Sequence, residues 1–143
     1  MDGYITGSNQ YAPDTYDITS FESTEMLAAV ISENCRLHPD TPVFAVLNSL
    51  MNQVADDRLH EPSKKVEVKL GERSVLLYEE VLRRLQQRLA AGGFYTGPID
   101  GAFSTATREA IGRYQTSIQL NPTGSPDQVT LWRLLRSPRI GSR

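Results

Sequence analysis

Cysteine occurs once in the 143 residues, at Cys35, so no disulfide can form within the chain and no cysteine-rich metal site can be built. Histidine is nearly as scarce. His38 and His60 match no familiar ligand spacing with each other or with Cys35. No apolar run approaches the length needed to span a bilayer. The opening Met1-Asp2-Gly3-Tyr4 lacks the basic and apolar regions of a secretory signal. The chain is therefore expected either to work inside the cell or to be a mature or excised part of something longer, and its Gly141-Ser142-Arg143 end fits the latter. Lysine is missing from Tyr78 onward, where nine arginines and five acids give a formal charge of +4. Residues 1–77 hold six basic and twelve acidic side chains, a formal −6. The basic half can favour an anionic partner or pair with the acidic half. Its arginines are spread over three helices and a tail in a chain of net charge −2, which argues against nucleic acid.

What is present has room for one ordinary domain, or for a small module with a helical extension. Residues 1–20 mix Gly, Ser, Asn, Asp and Pro without periodicity and read as a flexible tail or linker, ordered only if it docks on something. Residues 21–60 read as a helical hairpin. Ser23 or Thr24 caps its first helix, where Met26, Leu27, Val30, Ile31 and Cys35 recur at helical spacing. His38-Pro39-Asp40 breaks the run. Thr41 is then expected as the next cap, with Pro42 in the first helical position. Val43, Phe44, Leu47, Leu50, Met51 and Val54 form the apolar stripe of the second helix. Two helices bury too little surface alone, so the hairpin is expected to lean on the rest of the chain, on a protein partner or on a second copy. Cys35 reads as a structural thiol. Residues 61–73 form a linker in which Val66 to Leu70 alternate like a short strand, closed by Gly71.

Residues 74–136 are the most regular part. A helix is expected from Val75 to Ala91, with Tyr78, Leu82, Leu85 and Leu89 on one face and Gly92-Gly93 stopping it. The connector from Phe94 to Phe103 holds three aromatics and Ile99 among turn residues, so it should be compact. Ser104 caps a further helix with a stripe of Thr107, Ile111, Tyr114 and Ile118. Asn121 to Gly124 ends it. Ser125, Pro126 and Gln128 read as cap, first position and capping-box partner of the last helix, lined by Val129, Trp132 and Leu135. Residues 137–143 form a tail. No internal repeat, heptad or low-complexity tract stands out.

The order of these pieces is specific. Leu85-Gln86-Gln87-Arg88-Leu89 leads to Gly93-Phe94-Tyr95-Thr96-Gly97, then to Pro98-Ile99-Asp100-Gly101-Ala102-Phe103, Thr107 and Tyr114-Gln115. Leu120, Thr123-Gly124, Asp127 and Leu131-Trp132 close the series. Together they resemble the peptidoglycan-binding domain family of bacterial wall hydrolases and envelope proteins, a three-helix module covering the C-terminal half only. Ser104 stands where the family usually has Gly, and Tyr114 where Phe is commoner. The resemblance implies an all-α chain, with a three-helix bundle preceded by the αα-hairpin and the flexible tail. It also implies non-catalytic binding of cell-wall peptidoglycan, which would anchor or target an attached protein, with no cofactor and no metal. The expected place is then the periplasm or cell envelope, the alternative being the cytoplasm.

A glycan strand with stem peptides needs an aromatic platform and a few fixed hydrogen-bonding groups. Four residues are the candidate ligand contacts: Tyr95 to stack on a sugar or bond through its hydroxyl, Asp100 to accept hydroxyl or amide hydrogens, Arg108 to pair with a carboxylate, and Gln115 two turns further along the same face. The competing structural roles are a turn for Asp100-Gly101, core positions for Ile99, Phe103, Tyr114 and Trp132, and a solvated helix position for Arg108. Asp56-Asp57 near Glu61 reads as a solvated cluster rather than an acid–base pair, so no catalytic residue is assigned. The alternative function is a protein-interaction or assembly module that has lost sugar binding.

Overall fold

Amphipathic segments and their caps set the elements, and the computed structural model describes residues 1–136, which fall into two units that divide between Pro62 and Ser63. In the first unit, α1 (Asp2–Tyr11), α2 (Thr24–Leu37) and α3 (Val43–Ala55) are all helical. Residues 1–20, expected as a flexible tail, thus contain a helix. Its apolar patterning is weak and it buries no residue fully. Polar side chains hold it instead. The Tyr4 hydroxyl donates to Asn48 Oδ1 at 3.3 Å, Thr24 Oγ1 donates to Asp2 Oδ1 at 3.2 Å, and Asn9 Oδ1 accepts from the Ile18 N–H at 2.8 Å. Such long-range pairings leave no periodic trace, which is why the sequence hid them. The segment after α1 then pairs with Leu59 through Asp17, burying Ile18, Phe21 and Leu59 with Leu27, Val46, Leu50, Met51 and Val54. His60 Nδ1 lies 2.8 Å from Asp14 Oδ2, and Cys35 is half-buried and free.

Ser23 caps α2 by accepting from the Met26 N–H at 3.2 Å. At α3 the helix starts one residue later than expected. Pro42 takes the cap place, with extended backbone and a carbonyl that accepts from Ala45 and Val46 at 2.9 and 3.2 Å. Helices α2 and α3 pack on each other, but Val43 and Phe44, expected in the core stripe, are exposed at 61% and 68%.

The second unit opens with an antiparallel hairpin, β1 (Lys65–Leu70) and β2 (Arg73–Tyr78), in register from Lys65↔Tyr78 to Leu70↔Arg73. The fold is therefore mostly helical rather than all-α, and the helix expected from Val75 begins at Glu79. Val75 and Tyr78 sit three apart, so helical spacing ran on into the strand. Main-chain pairing with β1 decided the matter, since the alternation at Val66–Leu70 supplies a matching edge.

Three helices complete the unit: α4 (Glu79–Ala91), α5 (Thr105–Ser117) and α6 (Gln128–Arg136). Helix α4 touches both of the others. Val81, Leu82, Leu85, Leu89, Ala110, Ile111, Leu131, Leu134 and Leu135 are buried between them. The last helix is turned relative to expectation. Thr130, Leu131, Leu134 and Leu135 face inward, Trp132 is half-buried and Val129 is 50% exposed. Its cap is Asp127, not Ser125: Asp127 Oδ1 accepts from the Thr130 N–H at 2.8 Å. A carboxylate there also meets the positive end of the helix, which the Ser125-Pro126 signal cannot match. The tail expected at 137–143 lies outside the described residues.

Candidate ligand-binding site

Two loops join the three helices, and each is gripped by one buried glutamine. Gln86 on α4 is fully buried. Its Oε1 accepts from the Gly101 N–H at 2.8 Å, and its Nε2 donates to Asp100 Oδ1 and to the Ala102 carbonyl, each at 3.0 Å. Gln115 on α5 repeats the arrangement. Its Oε1 accepts from the Gly124 N–H at 2.9 Å, while Nε2 donates to Thr123 Oγ1 and the Ser125 carbonyl at 3.1 Å and to Thr130 Oγ1 at 2.9 Å. Both glycines have positive φ, +75° at Gly101 and +68° at Gly124. A Cβ at Gly101 would lie 2.7 Å from the Glu79 carbonyl oxygen, and one at Gly124 would lie 2.6 Å from Arg108 Cγ. Only glycine meets both demands.

Three residues after each glycine comes a helix cap, Ser104 or Asp127, and three further on a buried threonine, Thr107 or Thr130. The spacing Gly-x-x-cap-x-x-Thr therefore occurs twice. This is a short internal repeat that the sequence reading missed. Gln86 precedes its glycine by fifteen residues and Gln115 by nine, so the two copies do not align at a fixed period. The usable signal was the local spacing alone.

The four expected contacts do not converge. Tyr95 is only 4% exposed, and its hydroxyl donates to the Pro98 carbonyl at 2.9 Å. Phe94 meets Tyr114 edge-on at 5.6 Å. Two of the three connector aromatics thus pack on other parts of the protein, and the third, Phe103, is half-buried. Gln115 is 1% exposed and its amide is occupied by the loop. These two side chains build the module rather than face solvent. Asp100 is exposed, and its carboxylate closes the turn by accepting from the Ala102 N–H at 2.9 Å. That bond and the Gln86 amide lower its pKa below the ordinary carboxylate value, and the cation acting on it is Arg83. Arg108 is exposed on α5, its aliphatic stem against Gly124.

The arginines of the module differ in one respect. Arg83 and Arg84 pair with Glu79 and Glu80, Arg88 donates to the Leu135 carbonyl at 3.2 Å, and Arg113 donates to the Phe94 carbonyl at 2.9 Å. Arg133 and Arg136 are also engaged. Among the described residues, the Arg108 guanidinium makes no hydrogen bond or ion pair, and it stands over the loop that Gln115 holds.

Residues 79–134 match the family model described as "Putative peptidoglycan binding domain". The C-terminal module is similar to that family over this segment, about 39% of the chain. The match begins where β2 ends and runs to the penultimate buried leucine of α6, so the matched segment takes in the three helices and both glutamine-held loops. Among curated proteins, the chain is 33% identical over 95 residues to "Putative OxPP cycle protein OpcA" of Synechococcus elongatus, covering 66% of this chain and 21% of that protein. It is 51% identical over 49 residues to "Localization factor PodJL" of Caulobacter vibrioides, covering 34% of this chain and 5% of that one. The chain thus spans about a fifth or less of the length of these relatives. No solved structure matches.

Proposed function

We propose that the module binds cell-wall peptidoglycan without catalysis, and so anchors or targets the protein that carries it to the wall, acting in the periplasm or cell envelope. Arg108 is the observation that carries the reading. An exposed guanidinium without an internal partner, fixed over a rigid loop, suits a stem-peptide carboxylate, which it can meet through two parallel N–H donors. Asp100 offers acceptor oxygens at the companion loop. Tyr95 and Gln115 contribute by holding those loops in shape. Affinity is expected to be weak, with a Kd of about micromolar to millimolar, as suits a module that raises local concentration.

Purified protein is expected to co-sediment with insoluble sacculi. Arg108→Ala should cut the pelleted fraction at least threefold, and Arg108→Lys should retain an intermediate amount. Failure to pellet at every salt concentration rejects wall binding. A second reading, an assembly module with no sugar affinity, is favoured by one observation: Tyr95 is buried and Phe94 packs edge-on against Tyr114, so the connector presents no fully exposed ring to a sugar. The relative named as a localization factor is compatible with either reading. No sacculus pelleting, together with a defined protein complex, would select the second.

A further inference from the structure

The hairpin of β1 and β2 has two open edges, and they differ in chemistry. Gly71-Glu72 is a two-residue turn with Gly71 at φ +67°, so its closing pair, Leu70↔Arg73, exchanges both main-chain hydrogen bonds. Bonded and open pairs then alternate, and Val68↔Val75 and Val66↔Leu77 are bonded in turn. The N–H and C=O groups of Ser74 and Leu76 therefore point away from β1, and among the described residues no other segment bonds them. On the opposite edge the outward positions are Lys65, Glu67 and Lys69, all exposed. Charges of this kind keep a strand edge from pairing with another chain. The β2 edge has no such guard. From Ser74 to Tyr78 it carries neither charge nor proline. Val75 and Leu76 point to opposite faces of the sheet, yet they are 36% and 61% exposed. One exposed leucine is ordinary, but a leucine in the middle of an uncharged open edge offers main-chain and apolar contact at one place.

The occupant follows from the order of residues along β2. Only positions with outward main chain can bond, so a second β2 must set Ser74, Leu76 and Tyr78 against one another. With Leu76 opposite Leu76 of the second copy, Ser74 faces Tyr78, and Val75 faces Leu77 on the other side of the sheet. Arg73 is exposed and, among the described residues, makes no ion pair in its own chain. In this register it falls beside Glu79 of the second copy, a carboxylate that Arg83 bonds through Oε1 only. A shift by one bonded pair in either direction sets Arg73 against Leu77, or Glu79 against Val75, and loses that match of charges. A net charge of −2 per chain opposes association little. We propose that β2 pairs antiparallel with β2 of a second copy, about a twofold axis at Leu76, giving a continuous four-stranded sheet with a charged β1 at each outer edge. Two joined edge strands bury less than the roughly 1,200 Å² of the smaller stable interfaces, so the dimer is weak and concentration-dependent. Two modules held this way would grip a polymer bivalently, a consequence that, unlike the dimer itself, rests on the wall-binding reading.

The test is sedimentation equilibrium of the full chain over a wide concentration range, with amide hydrogen exchange at its two ends. The mass is expected to rise from 15.9 kDa toward twice that and stop there, while the Ser74 and Leu76 amides gain protection as concentration rises. Leu76→Lys, which sets two ammonium groups face to face, should weaken the dimer at least tenfold. Ser74→Pro removes an outward N–H and leaves the β1–β2 ladder intact, and it should do the same. Glu67→Lys on the other edge should change the dimer constant less than twofold. In dilute solution all three should keep the far-ultraviolet spectrum and unfolding midpoint of the wild-type monomer. A monomer at every concentration would overturn the proposal, as would a dimer undiminished in folded Leu76→Lys and Ser74→Pro. Loss of the dimer in Glu67→Lys, or association beyond two copies, would also overturn it. Sacculus pelleting is a separate readout, so this proposal and the wall-binding one can fail independently.

Discussion

Gln115 sits on a helix yet works for the loop that follows, where one side-chain amide accepts from the Gly124 N–H and turns its two N–H donors to three surrounding oxygens. Replacing it with leucine leaves a buried N–H and the buried Thr130 hydroxyl without a partner. Gln115→Leu should cost the module about 3 kcal/mol. Trp132, the sole tryptophan, lies in α6, so the denaturant dependence of its fluorescence reports the module separately from the first unit. Gly124→Ala should cost about 2–4 kcal/mol by the same probe, because positive φ and the 2.6 Å approach to Arg108 act together. At Asp100 the folded pKa lies below the unfolded one, so its contribution is complete above about pH 4 and is lost as pH falls through the folded value. Asp100→Asn should flatten the stability-against-pH curve below about pH 4 and leave its slope at pH 6–8 unchanged. Residue types at these positions were legible in the sequence, but their roles were only partly so. Tyr95 and Gln115 have the chemistry of ligand contacts, and nothing short of three-dimensional packing shows that both point inward.

At the scale of elements, local signals served well where a side chain caps the chain that bears it. Ser23 and Ser104 do what their positions announce, each accepting from an N–H three residues on at 3.2 Å. They served less well where two candidates compete, as at α6, where Asp127 displaces Ser125. They failed where a partner strand or a distant polar group decides, as at β2 and α1. The end of α5 shows a different tension. Leu120 N–H donates to the Gln115 carbonyl at 2.8 Å and Gln119 N–H to that of Thr116 at 3.1 Å, a closure that requires a left-handed residue at Gln119, φ +60°. Side chains with a Cβ pay about 1 kcal/mol there. Gln119→Gly should raise module stability by about 0.5–1 kcal/mol, seen as a higher denaturant midpoint with unchanged slope.

Across the whole molecule, charge is partitioned by unit: a formal −8 for residues 1–62 and +6 for residues 63–143. The sum conceals two surfaces with opposite preferences. Wall binding through exposed Arg108 should therefore weaken with ionic strength, the pelleted fraction falling severalfold between about 50 and 500 mM salt as screening shortens from roughly 14 to 4 Å. The module itself could be read from the sequence because glycine, aromatic and capping residues fall in a fixed order, whereas Gly71, read as closing a linker, turns the β1–β2 hairpin within the second unit, which begins at Ser63. The acidic unit gave no such order. In the module, two fasteners of one pattern hold successive loops from beneath, while Ile99, Ala102, Asn121 and Pro122 remain on the outside. Those outward positions can drift without disturbing the main chain under them, so a lineage carrying this frame can retune what its surface accepts by single substitutions and leave the bundle untouched.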